Sequence, residues 1–230
     1  MPRTRAPGRL DDIVEAALGI FLASGYRRTR MMDIAEGARV SSGLLYTYAE
    51  SKEALFSLVL QRELGVDVNA LPLPVPTPGP GATDALLRRA LKDVGAIPAL
   101  DAALAVDEPG DAAAEVASIV GEHYDAVHRH RRLIRLVERC ATDWPELAEG
   151  FYEKGRRPFV RRLGDYVRRR TQAGRLSAVP DPDVAARYVI EVVAWFANHR
   201  YGDHDGARMD DEMARATVVQ LVTAGLVGQP

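Results

Sequence analysis

The apolar positions of residues 10–24 set the first element: Ile13, Ala17, Ile20 and Phe21 recur at i, i+4, i+7 and i+8, one face of an amphipathic helix. Asp11 and Asp12 stand in its first turn, where acidic groups favour the helix dipole, and Gly25 supplies a stop. A short basic connection over 26–30 leads to a second helix near 31–38, a turn through Arg39 and Val40, and a third short helix over 42–48. Ser51 is placed as the N-cap of a longer helix, KEALFSLVLQRELGV, in which Leu55, Leu58, Val59 and Arg62 keep helical spacing.

The segment ALPLPVPTPGPGA, residues 70–82, breaks this pattern. Its alternate prolines forbid helix and favour extended polyproline geometry. It reads either as a linker behind an N-terminal module or as a long loop inside one domain. Beyond it the chain is helical again: 83–95, a short piece at Pro98, a turn at DEPGD, and a long helix over 111–139. Trp144-Pro145 marks a boundary, followed by 146–173 with a kink at Pro158, then 184–201 and 211–227. No alternating strand pattern stands out, so the fold class is all-α.

The last two helices carry wide apolar surfaces. Over 184–201, Arg187, Glu191 and Asn198 form one narrow polar stripe, and Tyr188, Val189, Val192, Val193, Trp195 and Phe196 cover the rest. In the last helix, Ala214, Val218, Leu221, Val222 and Gly225 share a face, with Val219 and Leu226 on another. Such a pair is buried on more than one side, as a monomer core or as a four-helix interface with a second copy. The interface reading names Val189, Val193, Phe196, Val218, Leu221 and Val222 as its residues.

Residues 33–55, DIAEGARVSSGLLYTYAESKEAL, have the makings of a helix-turn-helix. Ala35 is small enough for close helix packing, and Val40 and Leu45 anchor the second helix. Arg39 occupies the turn position that glycine suits best, and a left-handed backbone is expected there. Ser41, Ser42, Gly43, Leu44 and Thr47 are small or polar groups suited to a major groove.

The longer constellation, FLASGY, then Thr29, IA, VSSGLLYTY and SKEALF, resembles the N-terminal domain of the tetracycline-repressor (TetR) family of transcriptional regulators over about residues 10–56. The resemblance implies a homodimeric repressor on a near-palindromic double-stranded DNA operator, released by an unidentified small-molecule effector. It implies phosphate contacts by Thr29 and Lys52, base-facing roles for Ser42, Gly43 and Leu44, and an aromatic pair, Tyr46 and Tyr48, whose hydroxyls reach phosphate. Plain core aromatics are the alternative for that pair. Three residues depart from the pattern: Arg30 replaces a small hydroxyl residue, Arg39 the turn glycine, and Ala49 a phenylalanine that usually buries itself. The two arginines add charge where phosphate is expected, so both join the DNA-binding set.

The resulting organisation is a helix-turn-helix DNA-binding domain over 1–56, a connecting helix and Pro-rich linker over 57–82, and a larger helical ligand-binding and dimerisation domain over 83–230. Candidates for the effector pocket are Leu86, Val120, Tyr124 and Val127, with Ile134, Val137, Trp144 and Phe151.

Composition modifies this picture only slightly. The 230 residues carry a formal charge of −2, which excludes a uniformly basic binder but not a local basic face. The N-terminal arginines have no apolar h-region behind them and no apolar run is long enough to span a membrane. The one cysteine, Cys140, cannot form an intrachain disulfide, which suits a cytoplasmic protein; it is expected to be buried rather than redox-active. His123, His128 and His130 do not converge on one helix face as metal ligands would, so a solvated basic segment is expected. The runs RRPFVRR and YVRRR are expected to be solvated faces paired with acids. No cofactor motif and no catalytic arrangement stands out, so an enzyme is not expected. The rival reading is a helical ligand-binding or scaffold protein without DNA affinity.

Overall fold

The computed structural model describes residues 8–107 and 110–228. Helix α1 (Arg9–Ser24) buries Ile13, Val14, Ala17 and Phe21. Gly25 ends it at φ 78°, and a Cβ there would stand 2.9 Å from Arg139 Nη1 and Asp143 Oδ2, so the chain can turn here only with glycine. Then come α2 (Met31–Gly37), α3 (Ser42–Leu45) and α4 (Lys52–Glu63). Ser51 caps α4 as expected, its Oγ accepting the Ala54 N–H at 3.1 Å. The third helix is shorter than the sequence pattern suggested: regular helix ends at Leu45, and hydrogen-bonded turns carry the chain to Tyr48.

The remaining helices are α5 (Ala82–Val94), α6 (Pro98–Ala105), α7 (Ala112–Arg129), α8 (Arg131–Ala141), α9 (Pro145–Ala148), α10 (Arg157–Gln172), α11 (Pro182–Ala197) and α12 (Asp211–Val227). The expected DEPGD turn includes Glu108 and Pro109, which lie outside the described residues. Three expectations are corrected. The long helix over 111–139 is two helices that part at His130, within the run His128–Arg132. There the Arg131 guanidinium donates to the His128 carbonyl at 2.9 Å and satisfies the C-terminal end of α7. Residues 146–173 also divide, because a π-helical stretch, Glu149–Arg156, precedes Pro158. Proline has no N–H to give and crowds the carbonyl four residues back, so the wider turn forms upstream of it. Asn198 is fully buried at the end of α11 rather than part of a polar stripe.

The helices fall into two compact units. One lies within Met1–Ala90 and Arg132–Phe151, the other within Leu91–Arg131 and Tyr152–Pro230. In the first, Phe21, Tyr26, Phe56 and Trp144 form an aromatic cluster with centroids 4.2–6.0 Å apart. Glu15 adds an ion-pair bridge. Burial alone would raise its carboxyl, but Arg132 and Arg62 outweigh that and hold it below the usual range. Cys140 is fully buried and its thiol is pushed up to about 12, chiefly by burial, so it is a structural residue.

In the second unit α10 and α11 pack closely, because Gly164 carries no Cβ where Asp183 would stand 2.2 Å away. The arginine-rich helix pairs with acids through Arg156–Glu191, Arg157–Glu153 and Arg162–Asp101. Arg170 corrects the expectation of a solvated face. It is buried, donates to Glu115 at 2.8 and 3.0 Å, and reaches the carbonyls of Ala103, Val106 and Asp107. It ties α10 to the end of α6 because those carbonyls have no helical partner. Among the described residues no helix is long and apolar enough to cross a membrane.

His123 also departs from expectation. It faces inward from α7, buried against the Phe159 ring at 4.7 Å, and neither ring nitrogen has a hydrogen-bond partner. Burial, followed by the charge of Arg156, lowers its pKa from 6.5 to about 4, so it is neutral at pH 7. The unfolded chain takes up this proton near pH 6.5 and the folded chain only near 4. Stability held above pH 6.5 is therefore lost as pH falls towards 4, by up to about 1.4 kcal/mol per pH unit. His123→Leu is expected to remove that slope and to stabilise the unit at pH 7 by about 1–3 kcal/mol. Denaturant titrations of both chains between pH 4 and 7 check this; a destabilised variant with an unchanged slope would contradict it.

Candidate nucleic-acid interface

The unit α2–turn–α3 is built from short-range constraints. Asp33 Oδ2 accepts the Arg30 N–H at 2.9 Å and opens α2, whose Ile34 and Ala35 are buried. The turn closes with Arg39 N–H on the Glu36 carbonyl and Val40 N–H on the Ala35 carbonyl, at 3.0 and 2.9 Å. Between them Arg39 holds φ 54°, the one non-glycine residue at positive φ among those described. The left-handed turn expected at this position is present, with a side chain attached. Ser41 then caps α3, its Oγ accepting the Leu44 N–H at 3.2 Å, and Leu45 is fully buried as the anchor.

The same geometry turns the neighbours of Leu45 outward. Ser41, Ser42, Gly43, Leu44, Tyr46 and Thr47 are all exposed, the Thr47 hydroxyl donating to the Leu44 carbonyl at 2.7 Å. Among the described residues, the exposed large hydrophobics of the first unit are Met32, Leu44 and Tyr46, all on the helix-turn-helix. Tyr46 keeps 49% of its surface in water. Met32 was absent from the sequence-derived set; the signal for it is an apolar side chain off the stripe of α2 formed by Ile34 and Ala35.

Basic groups precede and follow this run along the chain. Arg27, Arg28, Arg30 and Arg39 are exposed, and the nearby acids Asp33 and Glu50 each accept a backbone N–H, from Arg30 and Thr77. Lys52 is half-buried. Its Nζ donates to the carbonyls of Tyr26 at 2.9 Å and Thr29 at 3.1 Å and lies 4.4 Å from the Tyr26 ring centre. An ammonium has three donors, so one remains for an anion. Tyr26 donates to Glu53 at 2.7 Å; burial and this bond raise the phenol, while the same bond lowers Glu53. Thr29 is buried, its hydroxyl donating to the Gly25 carbonyl at 2.6 Å, and Tyr48 is buried as well.

The other sequence-derived residues spread across both units. Leu86, Ile134, Val137, Trp144 and Phe151 belong to the first unit, and Val120, Tyr124 and Val127 to α7 in the second. The Tyr124 hydroxyl donates to the Phe196 carbonyl at 3.2 Å. Val189, Val193, Val218 and Val222 are buried within the second unit, Phe196 is half-buried, and Leu221 is 65% exposed. The outward faces of α11 and α12 carry Val184, Tyr188 and Trp195 with Met213 and Leu221.

Two family models match the sequence. Residues 13–59 match bacterial regulatory proteins of the tetR family, and residues 126–226 match the C-terminal domain of AefR-like transcriptional repressors. No curated protein matches it. Solved structures of the same fold include the ketosteroid transcriptional regulator KstR2 of Mycobacterium tuberculosis, at 18% identity and TM-score 0.58, covering 98% of each chain. A TetR-like transcriptional regulator from Rhodococcus sp. RHA1 aligns at 19% identity and TM-score 0.53, covering 99% of this chain and all of the other.

The strained turn generates its own expectation. A left-handed residue with a Cβ costs about 1–2 kcal/mol, and glycine at the same site costs back about 0.5–1 in unfolded-state freedom. Arg39→Gly is therefore expected to raise stability by up to about 1 kcal/mol while weakening DNA binding for all sequences alike. Thermal melts and titrations against two unrelated duplexes check it. A stability loss would contradict the strain, and unchanged binding would place the guanidinium away from phosphate.

Proposed function

The chain belongs to the TetR family of bacterial regulatory proteins, and from that premise we propose that it is a cytoplasmic repressor. In this reading a homodimer holds a near-palindromic operator and releases it when a small molecule enters the helical C-terminal unit. The observation that carries the DNA-binding reading is the position of the first unit's exposed apolar groups. Met32, Leu44 and Tyr46 are exposed on the helix-turn-helix, while the other large apolar groups described in that unit are buried or half-buried. Such groups fit thymine methyls and sugar edges, with Ser41, Ser42 and Thr47 beside them for polar contacts and Arg30, Arg39 and Lys52 for phosphates. Sequence selectivity then resides in Ser42, Gly43 and Leu44, and general affinity in the basic groups.

The test is selection from a random duplex library by the full chain. A two-fold-related site is expected, with log affinity falling linearly against log salt by about 0.9 per phosphate neutralised. Binding that is absent or insensitive to salt would support instead the helical scaffold without DNA affinity.

Dimerisation is assigned to the exposed faces of α11 and α12, where Tyr188 and Leu221 are 62% and 65% exposed. Val193, by contrast, is fully buried, so a charge there would disrupt the core and report nothing about assembly. Leu221→Asp is expected to give a folded monomer whose operator affinity falls at least tenfold, because one half-site engages one recognition helix. An unchanged dimer in sedimentation would move the interface elsewhere. For the effector, the candidates on α7 are Val120, Tyr124 and Val127; the Tyr124 hydroxyl already donates to the Phe196 carbonyl, so these residues favour a mostly apolar ligand.

A further inference from the structure

After α4 the chain does not proceed directly to α5. It turns at Gly65, and Asn69 on its way back donates its side-chain amide to Asp11 on α1, at 3.1 and 3.2 Å. The Pro-rich segment then runs to the connection between α3 and α4. There Val75 N–H donates to the Tyr48 carbonyl at 2.8 Å, and Glu50 N–H donates to the Val75 carbonyl at 3.0 Å. These two bonds make a parallel bridge that pairs Ala49 with Val75. Thr77 extends the attachment: its N–H donates to Glu50 Oε2 at 3.0 Å and its hydroxyl to Ser51 Oγ at 2.9 Å.

The pairing fixes side chains as well as backbone. Residues directly opposite in a bridge present their side chains to the same face, with Cβ atoms about 5 Å apart. Ala49 is fully buried and Val75 nearly so, whereas Pro74, Pro76 and Thr77 are exposed. The isopropyl group of Val75 therefore enters the core beside Ala49, where the chain's own side chain is a single methyl. Four residues before Ala49 lies Leu45, the one buried anchor of α3. Pro74 and Pro76 flank Val75 and have no N–H, so the Val75 N–H is the donor of that tripeptide, and it points inward. The expected extended polyproline run is interrupted before Val75 by bends and a cis Leu73–Pro74 bond.

We propose that residues 70–78 are a strap that positions the recognition helix, and that Val75 is its positioning residue for sequence-specific DNA contact. The inference rests on the DNA-binding reading above. It assigns to the Pro-rich segment a role neither of a passive linker nor of a DNA-contacting arm. Val75 acts through Tyr48 and Ala49 on the end of α3, and the basic groups that meet phosphate are independent of it.

The experiment uses the full chain, a duplex selected by the wild type from a random library, and an unselected duplex of equal length. Val75→Ala is expected to lose at least tenfold in affinity for the selected duplex and less than twofold for the unselected one, because charge is unchanged while α3 is displaced. Ala49→Val alone is expected to lose similarly, by crowding Val75. The double variant Val75→Ala/Ala49→Val is expected to return to within about threefold of the wild type, since the carbons added at 49 equal those removed at 75. A second variant, Glu50→Ala/Thr77→Val, cuts the surface ties without touching the core. Losing one carboxylate shifts both duplexes alike, so the readout is the ratio of the two affinities, expected to fall at least tenfold whether or not Val75→Ala folds.

Equal losses on both duplexes, or losses in the double variant that multiply instead of cancelling, would overturn the strap. So would a Glu50→Ala/Thr77→Val chain whose ratio of selected to unselected affinity equals that of the wild type. A wild type that selects no duplex would overturn the DNA reading and the strap with it, whereas a selecting wild type with indifferent variants would overturn the strap alone.

Discussion

The element that faces outward, α3, is a single helical turn of four residues. One turn fixes more backbone torsions than its own hydrogen bonds compensate, so it has no stability apart from its surroundings. Each neighbouring feature supplies part of what it lacks. Arg39 reverses the chain, Ser41 satisfies an N-terminal amide, Leu45 buries the inner side, and Val75 closes the far end by pairing around Ala49. Lys52 performs the same service one layer back, where its ammonium gathers two carbonyls of the connection between α1 and α2. The outcome is a set of exposed side chains held by a scaffold whose other described large apolar groups are buried or half-buried.

That dependence explains the mixture of roles among residues that a motif would treat alike. Thr29 and Tyr48 are buried and Lys52 is half-buried, engaged with the protein's own carbonyls or core. Leu44, Tyr46 and Thr47 are exposed because Leu45 takes the single inward place available in one turn. Arg30 and Arg39 are exposed and the Lys52 ammonium keeps a third donor. On the proposed reading these groups would set general affinity, whereas selectivity would depend on the placement of α3.

Much of this was legible in the sequence. The 3.6-residue stripe of α1, the Ser51 cap, the limits of α12 and the left-handed turn at Arg39 follow from local pattern and are present in the structure. What was not legible depends on distant partners. A run of prolines announces extended chain, but nothing in its periodicity announces that one valine pairs with residue 49. The charges around His128 masked the fact that His123 faces inward, and Arg170 looked like a surface residue until Glu115 and three carbonyls enclosed it. The break at His130 and the π-helical turn before Pro158 arise where helix ends meet side-chain donors and a missing N–H. Neither condition alters the apolar period.

The central claim is that α3 and its closing turn share the stability of the unit around them instead of opening alone. Native-state hydrogen exchange on the free chain tests this most directly, by comparing the amides of Leu45, Ala49 and Glu50 with those of Leu58 and Val59 inside α4. The account predicts one common opening free energy, with all five amides losing protection together as denaturant is added. Rapid exchange at Leu45, Ala49 and Glu50 while Leu58 and Val59 stay protected would contradict it, because the recognition helix would then be a local, independently melting turn.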